Sequence, residues 1–401
     1  MNSAVGDARL LCCARALRGL GDGALVVLLP AFWLREGGGG EAISELTTAT
    51  LLGSALATLA AGLVAHRIAP RSVLFAACAL LTLTGLGFAF APSHGWLLAI
   101  AFAGTFNPSA GDVSVFLPTE QALLAGSGAP ERRAARFGIY NVSGALGGML
   151  GSYGAGQLGA FGVGLAQGTR AALLAYSALG FVLAALYVGL RAGRTLPESR
   201  LSERAPLRQS RGLVARLAAL FALDSFGGGF AIQTLLVAWL LDHHHASVEQ
   251  VSFAMAVSLA LSAASQLVAP WIARRIGLIR TMVFTHLPAN VFLIATGFMP
   301  TAPLAIACLW LRASLSQMDV PARQAYVMSV VPEEERAAAA SATNVPRSFG
   351  SALAPLLAGP LLAAGAFHWA LAIGGGLKIV YDVLLLAAYG KHPAPHERSE
   401  A

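Results

Sequence analysis

Twelve stretches of about twenty mostly apolar residues restrict what this chain can fold into. They cover roughly 14–34, 45–65, 72–91, 95–116, 137–160, 170–190, 213–241, 249–272, 280–299, 302–322, 338–363 and 367–389. In hydrocarbon every backbone N–H and C=O must be satisfied internally, and a helix does this within one segment. Charged residues make up 12% of the chain, about half the roughly 25% of soluble domains. The expected class is therefore an all-α membrane protein with twelve transmembrane helices. Gly144, Gly147, Gly148, Gly151, Gly154 and Gly156 line the fifth stretch, where small residues let helix backbones approach closely.

The basic residues give the orientation. With the N-terminus assigned to the cytosol, 22 of the 27 Lys and Arg fall in cytosolic segments and only Arg35 and Arg170 face the other side. Arg312, Arg347 and Lys378 lie within apolar runs. Such a bias predicts both termini on the cytosolic side of the membrane. It also reads the net charge of +7 as a topology signal, so no nucleic-acid partner is expected. The N-terminal run is read as a retained span rather than a cleaved leader.

The segment from Arg191 to Arg211 is charged, holds Pro197 and Pro206, and lacks an apolar period. It predicts a cytosolic linker between a six-helix bundle at 1–190 and a second at 212–401. The two halves repeat each other. Without gaps, the segment from Arg18 aligns with that from Asp224, matching Gly21 with Gly227, Gly23 with Gly229 and Trp33-Leu34 with Trp239-Leu240. Asp112-Val113 matches Asp319-Val320, and the segment from Glu131 matches that from Glu334 through Arg133/Arg336, Asn141-Val142/Asn344-Val345 and Gly147/Gly350. Each span thus corresponds to the one six places later, in the same orientation, which is a parallel repeat about the membrane normal.

After the second span runs Gly62-Leu-Val-Ala-His66-Arg67-Ile-Ala69-Pro70-Arg71. It resembles the G-x-x-x-D-R-x-G-R-R loop of the major facilitator superfamily at Gly62, Arg67 and Arg71, with His66 in the acidic position. The second copy keeps Arg275 and Gly277. Together with twelve spans, a midpoint linker and the repeat, the chain resembles that family over its whole length. The resemblance implies a monomeric secondary transporter that moves a small solute by alternating access in the bilayer, with no cofactor. The similarity to bacterial exporters implies proton-coupled efflux. The arginine that drug/proton antiporters carry in the fourth span is absent here, as is the proline of their fifth span.

Ionisable groups inside spans are costly and mark function. Asp22, between Gly21 and Gly23, is the expected proton-coupling carboxylate. Arg18, one turn earlier, is its alternative ion partner. Asp224 is read either as a solvated helix end or as paired with Arg18. Gln233, deeper in the seventh span, could contact substrate. Asn107, Pro108, Ser109 and Asp112 form a polar break in the fourth span. Arg312, Ser316, Asp319 and Arg323 recur at helical spacing in the tenth, with Gln317 beside them. Arg312 lines either the cavity or a cytosolic gate, and Asn107, Asp112, Arg312 and Gln317 are substrate or coupling candidates. Asp319 and Arg323 are assigned to a cytosolic gate, with Arg133 and Arg336 as partners of the repeated aspartates. Lys378 and Asp382 are expected to pair locally. His243, His244 and His245 could bind metal, and Cys12-Cys13 a metalloid, although solvation and packing explain them as well.

A phosphate-binding G-x-x-x-x-G-K-[ST] loop and an H-E-x-x-H zinc motif are absent from the sequence, which removes the usual signatures of an ATP-driven pump or an embedded metalloenzyme. A receptor without transport is the remaining alternative class. For a transporter, metabolite uptake and efflux of a trivalent arsenical-type metalloid stand beside organic efflux.

Overall fold

The computed structural model describes residues 2–64, 67–91, 93–109, 115–126, 133–192 and 207–390. Among these residues all regular structure is helical: α1 (Asn2–Arg35), α2 (Gly40–Val64), α3 (Pro70–Phe90), α4 (His94–Ala103), α5 (Phe116–Gly126), α6 (Arg133–Gly156), α7 (Leu165–Val188), α8 (Arg211–Gly229), α9 (Gln233–Asp242), α10 (Val248–Ile276), α11 (Leu278–Gly297), α12 (Ala302–Ser316), α13 (Asp319–Val330), α14 (Arg336–Ala363) and α15 (Phe367–Tyr389), apart from short 3₁₀ turns. Eight segments among them are long and apolar enough to cross a membrane unaided. Large apolar side chains remain exposed, with Phe181 at 70% and Leu83 at 63%, as a surface solvated by lipid requires.

Three of the twelve spans are broken helices. The fourth begins with α4, whose ten residues reach about 15 Å, half a bilayer core. The helix stops at Gly104. Asn107 Oδ1 then accepts hydrogen bonds from the N–H of Ser109 at 3.1 Å and from its hydroxyl at 2.9 Å, and α5 follows. The tenth breaks at Gln317-Met318 between α12 and α13. The seventh breaks between α8 and α9. A broken backbone at membrane depth is tolerated where protein or water satisfies it.

The chain divides into two compact units, one of residues 1–198 with 232–259, the other of 199–231 with 260–401. In the first, α1 packs on α6 and α7, and α3 on α7, α4 and α5. In the second, α8 packs on α14 and α15, and α11 on α15, α12 and α13. The order of contacts is the same, so the sequence repeat is also a packing repeat. The α1–α6 seam is backbone against backbone: a Cβ on Gly23 would collide with the backbone of Gly148, and one on Gly151 with that of Leu20. Ser152 Oγ closes this seam by donating to Gly23 O at 3.0 Å.

Carboxylates hold the described residues on either side of 193–206. Asp7 accepts the backbone N–H groups of Arg191 at 3.0 Å and Ala192 at 2.8 Å. Glu335, in the 3₁₀ turn before α14, accepts those of Arg208, Gln209 and Ser210 at 2.8, 2.9 and 3.1 Å. The N–H groups of Arg208 and Gln209, helped by that of Ser210, hold the Glu335 carboxyl down to about 2.

Candidate functional site

Each unit encloses a polar centre. In the first, Arg18 on α1 grips Glu120 on α5 with its two terminal nitrogens: Nη1 donates to Oε1 at 2.8 Å, and Nη2 pairs with Oε2. Nη1 also donates to the Tyr187 hydroxyl at 2.8 Å. Tyr187 and Tyr140 each donate to Glu120 at 2.5 Å. Arg18 lies over the Phe116 ring, 4.4 Å from its centroid. Glu120 is fully buried. This charge pair is saturated with hydrogen bonds, the condition under which a buried ion pair is tolerated.

One turn along α1, Asp22 is also buried, but Arg18 is committed to Glu120. The Asp22 carboxylate is hydrogen-bonded instead by the Tyr176 hydroxyl of α7. That oxygen stands 3.2 Å from Asp22 Oδ1 and 3.2 Å from Thr105 O in the break of the fourth span. The hydroxyl has one proton, so it serves one acceptor at a time. Gln233 begins α9, and its Oε1 is buried without a hydrogen bond.

The second centre is larger. Asp224 on α8, expected as a solvated helix end or as the partner of Arg18, is buried and engaged within its own unit. It accepts from Lys378 Nζ of α15 at 2.6 Å and lies 3.7 Å from both Arg323 Nη1 and His286 Nε2. Lys378 does not form the local pair with Asp382 that their spacing predicts, because Asp224 captures it across the helix interface. Asp382 is held by α11 instead: His286 Nδ1 lies 2.9 Å from Oδ1, and Asn290 Nδ2 donates to Oδ2 at 3.0 Å. Arg323 of α13 donates to Asp319 at 2.8 Å, one turn back on the same helix. The partner of Asp319 among the described residues is thus Arg323 and not Arg336, whose Nε donates to Met328 O at 3.0 Å. Arg312 on α12 is half-buried. Gln317 accepts a long contact from Gln266 at 3.5 Å.

The sequence reading missed Glu120, Tyr140, Tyr176 and Tyr187 in the first centre, and His286 and Asn290 in the second. The pair His286 and Asn290, four residues apart in an apolar run, carried a signal, because polar groups at that spacing share one helix face.

A family model described as Major Facilitator Superfamily matches residues 11–313 and 217–401. The chain belongs to the Major Facilitator Superfamily. Over 433 aligned residues it is 24% identical to the uncharacterized membrane protein YJR124C of Saccharomyces cerevisiae, covering 96% of this chain and 94% of the relative. The fold is shared with a bacterial homolog of the human lysosomal transporter Spinster (TM-score 0.74, 14% identity, 96% of this chain and 97% of the other). It is shared too with the nucleoside transporter NupG (0.69, 16%, 97% and 99%) and a D-xylose-proton symporter (0.71, 13%, 95% and 96%). This facilitator is thus a multi-pass membrane transporter of a small solute and not an enzyme, and its twelve-helix fold is the one expected from the apolar runs.

The glycine position of the family loop differs between the two copies in its backbone conformation. Gly277, between α10 and α11, has φ 87°, which favours glycine. Ala69, its counterpart before α3, has φ −59° and needs none. In this facilitator Arg71 donates to Val188 O at 2.8 Å, joining α3 to the end of α7. Arg275 lies over the Trp271 ring at 4.1 Å. Arg67 is exposed and Gly62 lies in α2. Asp112 and the side chain of Arg133 lie outside the described residues. Cys12 and Cys13 are free thiols. His244 packs edge-on against Trp239 at 4.7 Å, with His243 stacked on the same ring at 5.8 Å.

Proposed function

We propose that this facilitator is a proton-coupled secondary transporter working by alternating access, with Asp22 as the coupling carboxylate and efflux as its direction. The observation that carries the reading is a buried carboxylate whose ion partner has been taken by another acid. Among the described residues Asp22 makes no ion pair, and its contact with Tyr176 suits either protonation state. With Asp22 ionised, the Tyr176 proton belongs to the carboxylate. With Asp22 protonated, that proton is free to turn to Thr105 O. Protonation on α1 would then be read by the break in the fourth span, where a backbone without helical hydrogen bonds can reshape.

The direction rests on the resemblance to bacterial exporters. The rest of the reading follows the sequence: two six-helix halves joined at 191–211, one monomer, and both termini cytosolic in an inner membrane. Reporter fusions at Arg200 and Ala401 check the topology, and an external signal at either position overturns it. For the coupling, Asp22→Asn keeps size and removes titration. In proteoliposomes the variant should lose pH-driven transport while retaining solute counterflow. Unchanged proton-driven flux would make Asp22 structural and move coupling to the second centre.

A further inference from the structure

One arginine in the polar region of the second unit, Arg312, has no carboxylate at ion-pair distance among the described residues. The unit's three buried aspartates are satisfied at short range: Asp224 by Lys378 at 2.6 Å, Asp319 by Arg323 at 2.8 Å, and Asp382 by His286 at 2.9 Å with Asn290 at 3.0 Å. Arg312 has no such partner. Among the described residues it makes no hydrogen bond or ion pair, and its Nε is sealed from solvent. The charge it senses is that of Asp224, already neutralised by Lys378.

An arginine in the apolar helix Ala302–Ser316 is expensive without a matching anion. Among the described residues no carboxylate stands within ion-pair distance of it, and an anion bound from outside the chain would supply the counter-charge. We propose that Arg312 binds an anionic group, a carboxylate or phosphate, of the transported solute, and hence that the solute is an organic anion. The guanidinium offers a planar fork matched to such groups. Ser316 stands one turn along the same helix face, and Gln317 and Gln266 follow it, adding neutral hydrogen-bonding groups beside the charge. The proposal rests on the transporter reading but not on proton coupling at Asp22.

The test is ligand-induced thermal stabilisation of the purified full chain in phosphatidylcholine nanodiscs. The probes are matched pairs: monocarboxylates and dicarboxylates against their amides, and sugar phosphates against the free sugars. At least one anion should raise the melting temperature while its neutral partner does not. Arg312→Gln should weaken the apparent affinity roughly ten- to a hundredfold. Arg312→Lys, which keeps the charge and guards against misfolding of the first variant, should bind that anion more weakly than wild type and more tightly than Arg312→Gln. Asp22→Asn should leave the anion response intact, so failure of the coupling proposal and failure of this one give different results. Three results overturn it: stabilisation only by neutral or cationic probes, an anion response undiminished in Arg312→Gln, or stabilisation by added phosphatidylglycerol alone. The last would assign Arg312 to a lipid headgroup.

Discussion

The two units make the same tie with opposite polarity. In the first, an arginine on the leading helix, Arg18, meets an acid on α5, Glu120. In the second, an acid on the leading helix, Asp224, faces an arginine on α13, Arg323. Arg18 and Asp224 are aligned by the repeat, and Glu120 and Arg323 are each the fifth residue of their helix. Both arginines lie against a phenylalanine, Phe116 in one unit and Phe221 in the other. The repeat has kept a charge tie between two helices while exchanging which helix carries which charge. The surroundings differ more. Glu120 is closed off by one arginine and two tyrosines, whereas Asp224 stands within 3.7 Å of three different cationic or protonatable groups. A saturated pair has one arrangement; a shared acid has several of similar geometry.

The strongest way to break this comparison is Glu120→Ala. It strands a buried guanidinium and should cost about 3–5 kcal/mol, seen as loss of monodisperse protein and a lower melting temperature. Exchanging the charges, Arg18→Glu with Glu120→Arg, should restore part of that loss if polarity is interchangeable, as the second unit indicates. No recovery at all would show that the tyrosine shell fixes the sign.

Lys378→Met sharpens the same contrast from the other side. Arg323 and His286 remain beside Asp224, so the expected cost is smaller, about 1–3 kcal/mol. A loss equal to that of Glu120→Ala would mean that the neighbours of Asp224 do not substitute for one another.

The smallest effect concerns the carboxylate clamps. Glu335 takes three backbone N–H groups in the second unit, where Asp7 takes two in the first. The folded-state value of Glu335 is held below the usual carboxylate range, at about 2. Its stabilisation is therefore complete above the unfolded value of about 4.3 and is lost as pH falls towards 2. Glu335→Gln should melt slightly below wild type at pH 7, and the two should converge at pH 2–3. A gap that persists at low pH would assign the effect to packing rather than charge.

The sequence made the fold legible because span length and the repeat are both written in apolar periodicity. Arg18, Asp22, Asp224 and Arg312 stood out for a related reason, as charges within apolar runs. Their partners did not. Glu120 lies in α5, beyond the point where the fourth apolar run ends, so it reads as a loop residue. Tyr140, Tyr176 and Tyr187 count as bulk in any hydropathy pattern, and only packing shows where their hydroxyls end. Lys378 and Asp382 sit at pairing distance along one helix, yet each is claimed by a residue at least 92 positions away. Pairing across helices depends on rotation about the helix axis, which spacing within one helix does not report.

The seam between α1 and α6 bears on mechanics. Where Gly23 meets Gly148 and Gly151 meets Leu20, backbone rests on backbone. A contact between longer side chains can absorb a small displacement by changing torsion angles, each rotamer taking up a fraction of an ångström. A glycine seam has no such torsions. A push delivered to α1 near Asp22 is therefore passed to α6 with little loss, and the pair behaves as one strut. Compliance in the first unit has to reside elsewhere, and the unwound residues around Asn107 are where the backbone has freedom to supply it.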